Sequence, residues 1–332
     1  MLTLFTTAKP FKGHDGVIER NALRSWKLLN PDLEVVLFGN EEGASEVCAE
    51  LGLRFEPKAE RHESGAKCLD YMFRRVQQIS SNQYFCFANC DIVLMQDFWR
   101  AFEKARAWRS QFLLVAQRWD VDIVRPINFT SADWGKSLRE RALVKGSQRN
   151  EFWIDLFLFR RGMYLDMPPL IVGHCHWDNW MIWKALSESV PVLDATSAVV
   201  AVHQNHGYSV ASGRSKGFDE DPLSLLNLEL IGGWAKRAHI KSSTHALSRS
   251  GYIYWNVFRY TYPVTRKITA ISYRVWFRFL DATRSVRRPL GLRSGASAQA
   301  RQRFLVFAVV IAILLWWAWN IFREHVPRWG YY

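Results

Sequence analysis

Four short apolar runs, at residues 2–7, 33–38, 53–55 and 84–88, alternate with three stretches whose apolar residues recur at helical spacing. That alternation constrains the chain more than any single motif does. A strand, a helix and a second strand in one sheet close as a right-handed crossover, which leaves the strands parallel. The helical stretches fall at 17–29, 44–51 and 69–79. In the first, Val17, Ala22, Leu23, Trp26 and Leu29 share a face, and Asn30-Pro31-Asp32 stops it. The fourth run is apolar and aromatic throughout, as a strand covered on both faces requires. The predicted class is α/β with a parallel sheet.

Ligands of open α/β sheets bind outside the carboxyl ends of the strands, so those ends hold the candidate site. After the fourth strand come Asn89 and Asp91, two oxygen ligands two positions apart. On an extended chain such residues point to one side and converge on one hard cation. The alternative is that Asp91 only closes a turn. After the first strand, residues 6–13 carry hydroxyls, Lys9, Lys12 and Gly13, a loop suited either to a phosphate or to an ordinary turn. Asn40 closes the second strand. No G-x-G-x-x-G and no G-K-[ST] follows the first strand, so the dinucleotide and P-loop fingerprints are missing.

Farther on, a helix at 98–108 leads to a strand at 112–116, which ends in Arg118 and Asp120 on the same expected edge. Residues 121–150 read as a polar insertion over the site, with one helical patch near 135–144. Residues 153–159 form a buried strand interrupted by Asp155. Asp178 stands at the start of a helix, where an N-cap is the competing role, worth about 1 kcal/mol. Short strands follow at 191–194 and 199–202, the second leading into His203-Gln204-Asn205-His206. A helix at 223–230 and Gly232-Gly233 mark an expected domain boundary after residue 231.

The formal charge of +13 belongs to a segment and not to this domain. Residues 232–303 hold 15 Lys/Arg against the single acid Asp281, an excess of 14. The nearly neutral domain argues against a nucleic-acid partner, which wants its basic patch on the folded unit. Five cysteines, odd in number and without a C-x-x-C pair, signal neither a zinc knuckle nor a disulfide framework, and suit a reducing cytosol. The amino terminus begins as a strand, with no signal-peptide pattern.

Residues 304–322 are 19 without a charge, enough for a helix of about 28 Å, roughly the hydrocarbon thickness of a bilayer. Trp316, Trp317 and Trp319 sit near one end, as an interfacial belt does. Arg287, Arg288, Arg293, Arg301 and Arg303 precede the run, whereas Arg323 and Arg328 follow it. The positive-inside bias predicts a single span with the preceding domain in the cytoplasm. The basic, aromatic stretch before it reads as a juxtamembrane segment on an anionic leaflet. Residues 323–332 are a short tail.

Four stretches carry a family resemblance: K-P-F-K-G-H at 9–14, F-A-N-C-D-I-V-L-M at 87–95, H-W-D-N-W at 176–180 and V-V-A-V-H-Q-N-H at 199–206. Residues 1–231 resemble bacterial glycosyltransferases of the GT-A fold, a Rossmann-like α/β/α sandwich that binds a nucleotide sugar. The resemblance implies that Asn89 and Asp91 stand for the family's D-x-D motif, holding Mn²⁺ or Mg²⁺ against the diphosphate, with Asn in place of the first Asp. It implies that His203 or His206 completes the metal shell, His203 being the one that directly follows the strand. Asp178 matches the acid that takes the acceptor proton in inverting members. Thr6, Thr7 and Lys9 match the loop that meets the nucleotide, with Arg20 or Arg24 as phosphate contacts. Asn40, Arg118, Asp120 and Asp155 complete the expected substrate-binding set.

The implied function is a membrane-anchored glycosyltransferase that moves a sugar from a nucleoside-diphosphate donor to an acceptor hydroxyl on a glycan, lipid-linked or small molecule. Two alternatives stand beside it. One is a membrane-tethered nucleotide-sugar-binding module without catalysis. The other is a sugar-nucleotide pyrophosphorylase, whose Gly- and Arg-rich first loop residues 9–13 do not supply.

Overall fold

The computed structural model describes residues 1–206, 221–257 and 259. In chain order the elements are β1 (Leu2–Thr7), α1 (Gly13–Lys27), β2 (Glu34–Phe38), α2 (Ala44–Leu51), β3 (Arg54–Glu56), α3 (Leu69–Ile79), β4 (Tyr84–Ala88) and β5 (Ile92–Val93). There follow α4 (Gln96–Trp108), β6 (Leu113–Val121), α5 (Trp134–Lys145), β7 (Ser147–Gln148), β8 (Ile154–Arg160), α6 (Trp177–Ser187), β9 (Val192–Asp194) and β10 (Ala201–Gln204). The last described elements are α7 (Pro222–Leu230), β11 (His245–Leu247) and β12 (Ile253–Trp255).

The main sheet runs β12-β11-β9-β6-β8-β4-β1-β2-β3. The first four helix-linked strands pair in parallel, as their alternation with helices requires. The sheet as a whole is mixed, because β8 lies antiparallel to both β4 and β6. A smaller ladder branches off, in which β10 pairs antiparallel with β5 and parallel with β6.

Side-chain alternation sorts the sheet into two unlike faces. Leu2 and Leu4 of β1, Cys86 and Ala88 of β4, and Leu156 and Leu158 of β8 join one core with α1, α2 and α4. Phe5, Phe85, Phe87, Phe157 and Phe159 turn the other way, against α3 and α6. There Phe73 stacks on Phe159 with centroids 5.3 Å apart, and Phe5 meets Phe73 edge-on at 5.0 Å. Trp26 of α1, fully buried, donates its indole N–H to the Ile92 carbonyl at 2.8 Å, and Ser25 Oγ accepts the Leu94 N–H at 3.1 Å. These bonds fix β5, and with it the turn that carries Asp91.

Three sequence expectations change. The strand expected at 112–116 continues as β6 to Val121, so Arg118 and Asp120 lie inside a strand and not beyond it. Pairing with β10 and β7 sustains the extension. His203 likewise lies within β10, and His206 stands two residues beyond it. The domain boundary expected after residue 231 is too early: β11 pairs parallel with β9, β12 pairs with β11, and the compact unit runs Met1–Asn256. Both strands are three residues long and fall within a stretch read as basic and aromatic, which hid them. Among the described residues no helix is long and apolar enough to cross a membrane. The expected span at 304–322 and its basic flank beyond 259 lie outside the described residues.

Candidate active site and metal centre

The chain does not stay extended after β4. Ile92 N–H donates to the Asn89 carbonyl at 3.1 Å, closing a four-residue turn. Asn89 donates its side-chain amide to Asp155 Oδ1 at 2.6 Å. Asp91 instead meets two histidines. Its Oδ2 lies 3.1 Å from His206 Nε2 and 3.5 Å from His203 Nε2. One ligand atom from each of these three residues lies within 4.8 Å of the others. The two histidines thus join Asp91, and the Asn89 amide is engaged by Asp155.

The cluster suits a divalent cation. Asp91 Oδ1 is buried with no hydrogen-bond partner, a lone pair available to an ion. One carboxylate with two imidazoles suits Mn²⁺ better than Mg²⁺, which prefers oxygen ligands and ordered water. Burial opposes the charge on Asp91, but both histidines outweigh it and hold its carboxyl far below the ordinary range. Burial pulls His203 down, while Asp91 and Asp120 lift it to about 9.

Behind the histidines runs a buried ionic chain. His203 Nδ1 is 3.2 Å from Asp120 Oδ1. Arg118 Nε donates to Asp120 Oδ1 at 3.0 Å, and its Nη1 donates to Asp155 Oδ2 at 2.7 Å. Arg149 closes on Asp120 Oδ2. Both guanidinium groups lie over the Trp153 ring, at 4.8 and 5.3 Å from its centroid. Asp120 is held at about 2, because burial, which raises it, is outweighed by His203 and the two arginines.

Asp178 sits at the second position of α6 and is not the N-cap. His176 holds that place with φ +86°, and no side-chain bond caps the helix. Burial foremost, helped by the charge of Asp155, lifts the Asp178 carboxyl to about 7, against the pull of the first-turn backbone N–H of Asn179 and of Arg237. Arg237 also donates to Asn179 Oδ1 at 3.0 Å and stacks on Trp234 at 4.5 Å.

The loop after β1 reaches the same region. Lys9 Nζ lies 3.4 Å from His206 Nδ1 and 3.2 Å from Asp15. Thr7 Oγ1 donates to the Phe38 carbonyl at 2.9 Å, and Thr6 is buried with its hydroxyl on the Thr7 carbonyl at 3.4 Å, so both hydroxyls serve the strand. Asn40 is exposed beyond β2. Arg20 and Arg24 do not enter the site. They sit one helical turn apart on α1 and both close on Glu50 of α2.

Sequence reasoning missed Glu19, Arg149 and Arg237. Glu19 accepts the Lys9 N–H at 2.6 Å and is 4% exposed. Burial lifts its carboxyl to about 9, against the Lys9 amide and ammonium. The signal was present: Glu19 falls three and four positions before Ala22 and Leu23, on the apolar face of α1. Arg149 and Arg237 lie in irregular chain, where spacing carries no such signal.

The Asn89–Asp155 bond sets the outcome of one substitution. Asn89→Asp would set a second carboxylate against Asp155 in place of an amide donor. Denaturant unfolding is expected to show a loss of about 1–3 kcal/mol, and Mn²⁺ titration no gain in affinity.

No family model matches the chain, and no curated protein is similar to it. Solved structures are similar at low identity. Residues 1–349 of S. aureus TarS align at 9% identity and TM-score 0.38, covering 62% of this chain and 58% of that one. The chain thus spans less than two thirds of that fragment. M. tuberculosis glucosyl-3-phosphoglycerate synthase aligns at 12% identity and TM-score 0.41, covering 70% and 79%. The same synthase with Mn²⁺ and UDP-glucose aligns at 12% and 0.39, covering 63% and 72%. Identities this low leave the site to be argued from its own side chains.

Proposed function

We propose that the chain is a glycosyltransferase that moves a sugar from a nucleoside-diphosphate donor to an acceptor hydroxyl. One observation carries the reading: a carboxylate and two imidazoles gather as a cation would need, and a buried ionic chain runs from His203 through Asp120 and Arg118 to Asp155, whose charge helps raise the Asp178 carboxyl to about 7. Asp91, His203 and His206 would hold Mn²⁺, or Mg²⁺ less well. When bound, the ion supplies a Lewis acid that stabilises charge on the departing diphosphate. Lys9, beside His206, adds a positive charge for the same phosphates. Asp178 accepts the proton of the acceptor hydroxyl as its oxygen bonds to the anomeric carbon and the carbon–diphosphate bond breaks. A carboxylate near 7 suits that work, being ionised in good part at neutral pH and still basic enough to take a proton.

The direct test is release of nucleoside diphosphate from UDP-glucose and UDP-GlcNAc by the full chain, with Mn²⁺ and with chelator. Slow metal-dependent hydrolysis in the absence of acceptor is expected. A chain that binds these donors yet never cleaves them is the tethered binding module.

Membrane attachment is part of the same proposal. Residues 304–322 would span the bilayer, with the preceding basic segment and the domain on the cytoplasmic face and 323–332 beyond. The full chain is expected to stay with membranes through a high-salt wash and to leave only with detergent. Release by salt alone would assign the attachment to the basic segment.

A further inference from the structure

We propose that Asp120 is the positioning residue of this metal centre, holding the His203 ring so that Nε2 faces Asp91. The inference rests on the metal reading above and concerns a residue outside the ligand set. In the parallel ladder between β6 and β10, His203 lies directly beside Asp120. The ring stands between two carboxylates, with Nδ1 3.2 Å from Asp120 Oδ1 and Nε2 3.5 Å from Asp91 Oδ2. The two ends differ. The Asp91 side chain is 18% exposed and also meets His206 at 3.1 Å, so its end of the ring can receive a ligand. The Asp120 side chain is 4% exposed and sealed behind the ring.

Asp120 cannot swing away. Arg118 Nε donates to one of its oxygens at 3.0 Å and Arg149 Nε donates to the other. Charge-assisted bonds from two guanidinium groups keep the carboxylate anionic and fixed in place. The contact with Nδ1 is an ion-pair approach at 3.2 Å and not a formed hydrogen bond, so the ring nitrogen is buried with Asp120 as its nearest charged neighbour. Once an ion occupies Nε2, Nδ1 keeps the only ring proton, and Asp120 is the acceptor within reach. A carboxylate in that position sets the tautomer and raises the basicity of the ligating nitrogen. Arg118 extends the support, since its other end holds Asp155 on β8 at 2.7 Å. The strand bearing the histidine ligand is thereby tied to the strand that meets Asn89.

The test is titration of the full chain with Mn²⁺, reading free ion by electron paramagnetic resonance, with no nucleotide present. Asp120→Ala is expected to weaken Mn²⁺ binding by about 10–100-fold. Asp120→Asn keeps the shape and an acceptor oxygen, and should fall between that variant and wild type. Melting in chelator reports the fold separately. A purely structural Asp120 would lower the metal-free melting temperature and leave the Mn²⁺ affinity of the folded chain unchanged, which overturns the proposal. Asp91→Ala and His203→Ala distinguish the two levels of the argument. If both lose Mn²⁺ while the Asp120 variants do not, positioning alone fails; if neither loses it, the metal centre fails and positioning with it. Should Asp120→Ala not fold, Asp120→Asn and a spectroscopic reading on wild type decide. With ¹⁵N-histidine and Zn²⁺ as a diamagnetic probe, His203 is expected to carry its proton on Nδ1 and bind through Nε2. Coordination through Nδ1 overturns the proposal.

Discussion

Asp178→Asn is expected to lower turnover by about 10²–10⁴-fold while donor binding stays near wild type. The substitution keeps the side chain's size and removes its capacity to take a proton. Asp178 is not the N-cap of α6, so loss of a helix cap cannot account for the fall. Wild-type turnover is expected to climb with pH and level off above about 7, as the raised Asp178 carboxyl ionises. The stability consequence has the opposite sign. Between the ordinary carboxyl range and about 7, the folded chain keeps a proton on Asp178 that the unfolded chain has lost, so stability declines as pH rises through that window. Asp178→Asn should lack this contribution to the decline. A variant that transfers sugar at an undiminished rate would remove Asp178 from the chemistry and point to Asp155 or the leaving phosphate as the proton acceptor.

Asp91→Ala should have the other large effect, loss of metal-dependent donor binding by more than about 100-fold, since a ligand removed costs more than a supporting residue removed. Asp91 is the only carboxylate of the cluster, and both imidazoles face the same oxygen. Its loss leaves two histidines without the anion that gathers them. Calorimetric titration with UDP-glucose, with and without Mn²⁺, measures the effect. Donor affinity indifferent both to this change and to chelator would dismiss the metal centre. His206→Ala is expected to weaken the ion less, because His206 is the less enclosed of the two, with a side chain 9% exposed against 2% for His203.

The frame was legible in the sequence because apolar periodicity records it directly. Short β-rich runs separated by helical patterns placed β1 to β4 and the three helices between them to within a few residues. The mixed character of the sheet was not legible there, since a buried strand reads the same in either direction and β8 gives no sign of running against its neighbours. The Asp91 cluster was legible as residue types and not as geometry. Two-residue spacing implied an extended chain, whereas a hydrogen bond from Ile92 to Asn89 closes a turn there and the Asn89 amide meets Asp155. Arg20 and Arg24 looked like anion contacts because charge can be read from sequence, whereas their capture by Glu50 depends on how α1 packs against α2.

The branch ladder of β10 bears on the order in which the chain becomes functional. Its register places His203 beside Ile92 on one side and beside Asp120 on the other. A slip of one residue would turn His203 to the opposite face and present Val202 or Gln204 in its place. The ligand set is thus a combination that opens at one alignment only. It is completed by residues beyond position 200, after most strands of the main sheet have been synthesised. A nascent chain can lay down β1, β2 and β4 long before it can hold an ion, so cation binding reports that the late strand has docked in register and not merely that the sheet has formed.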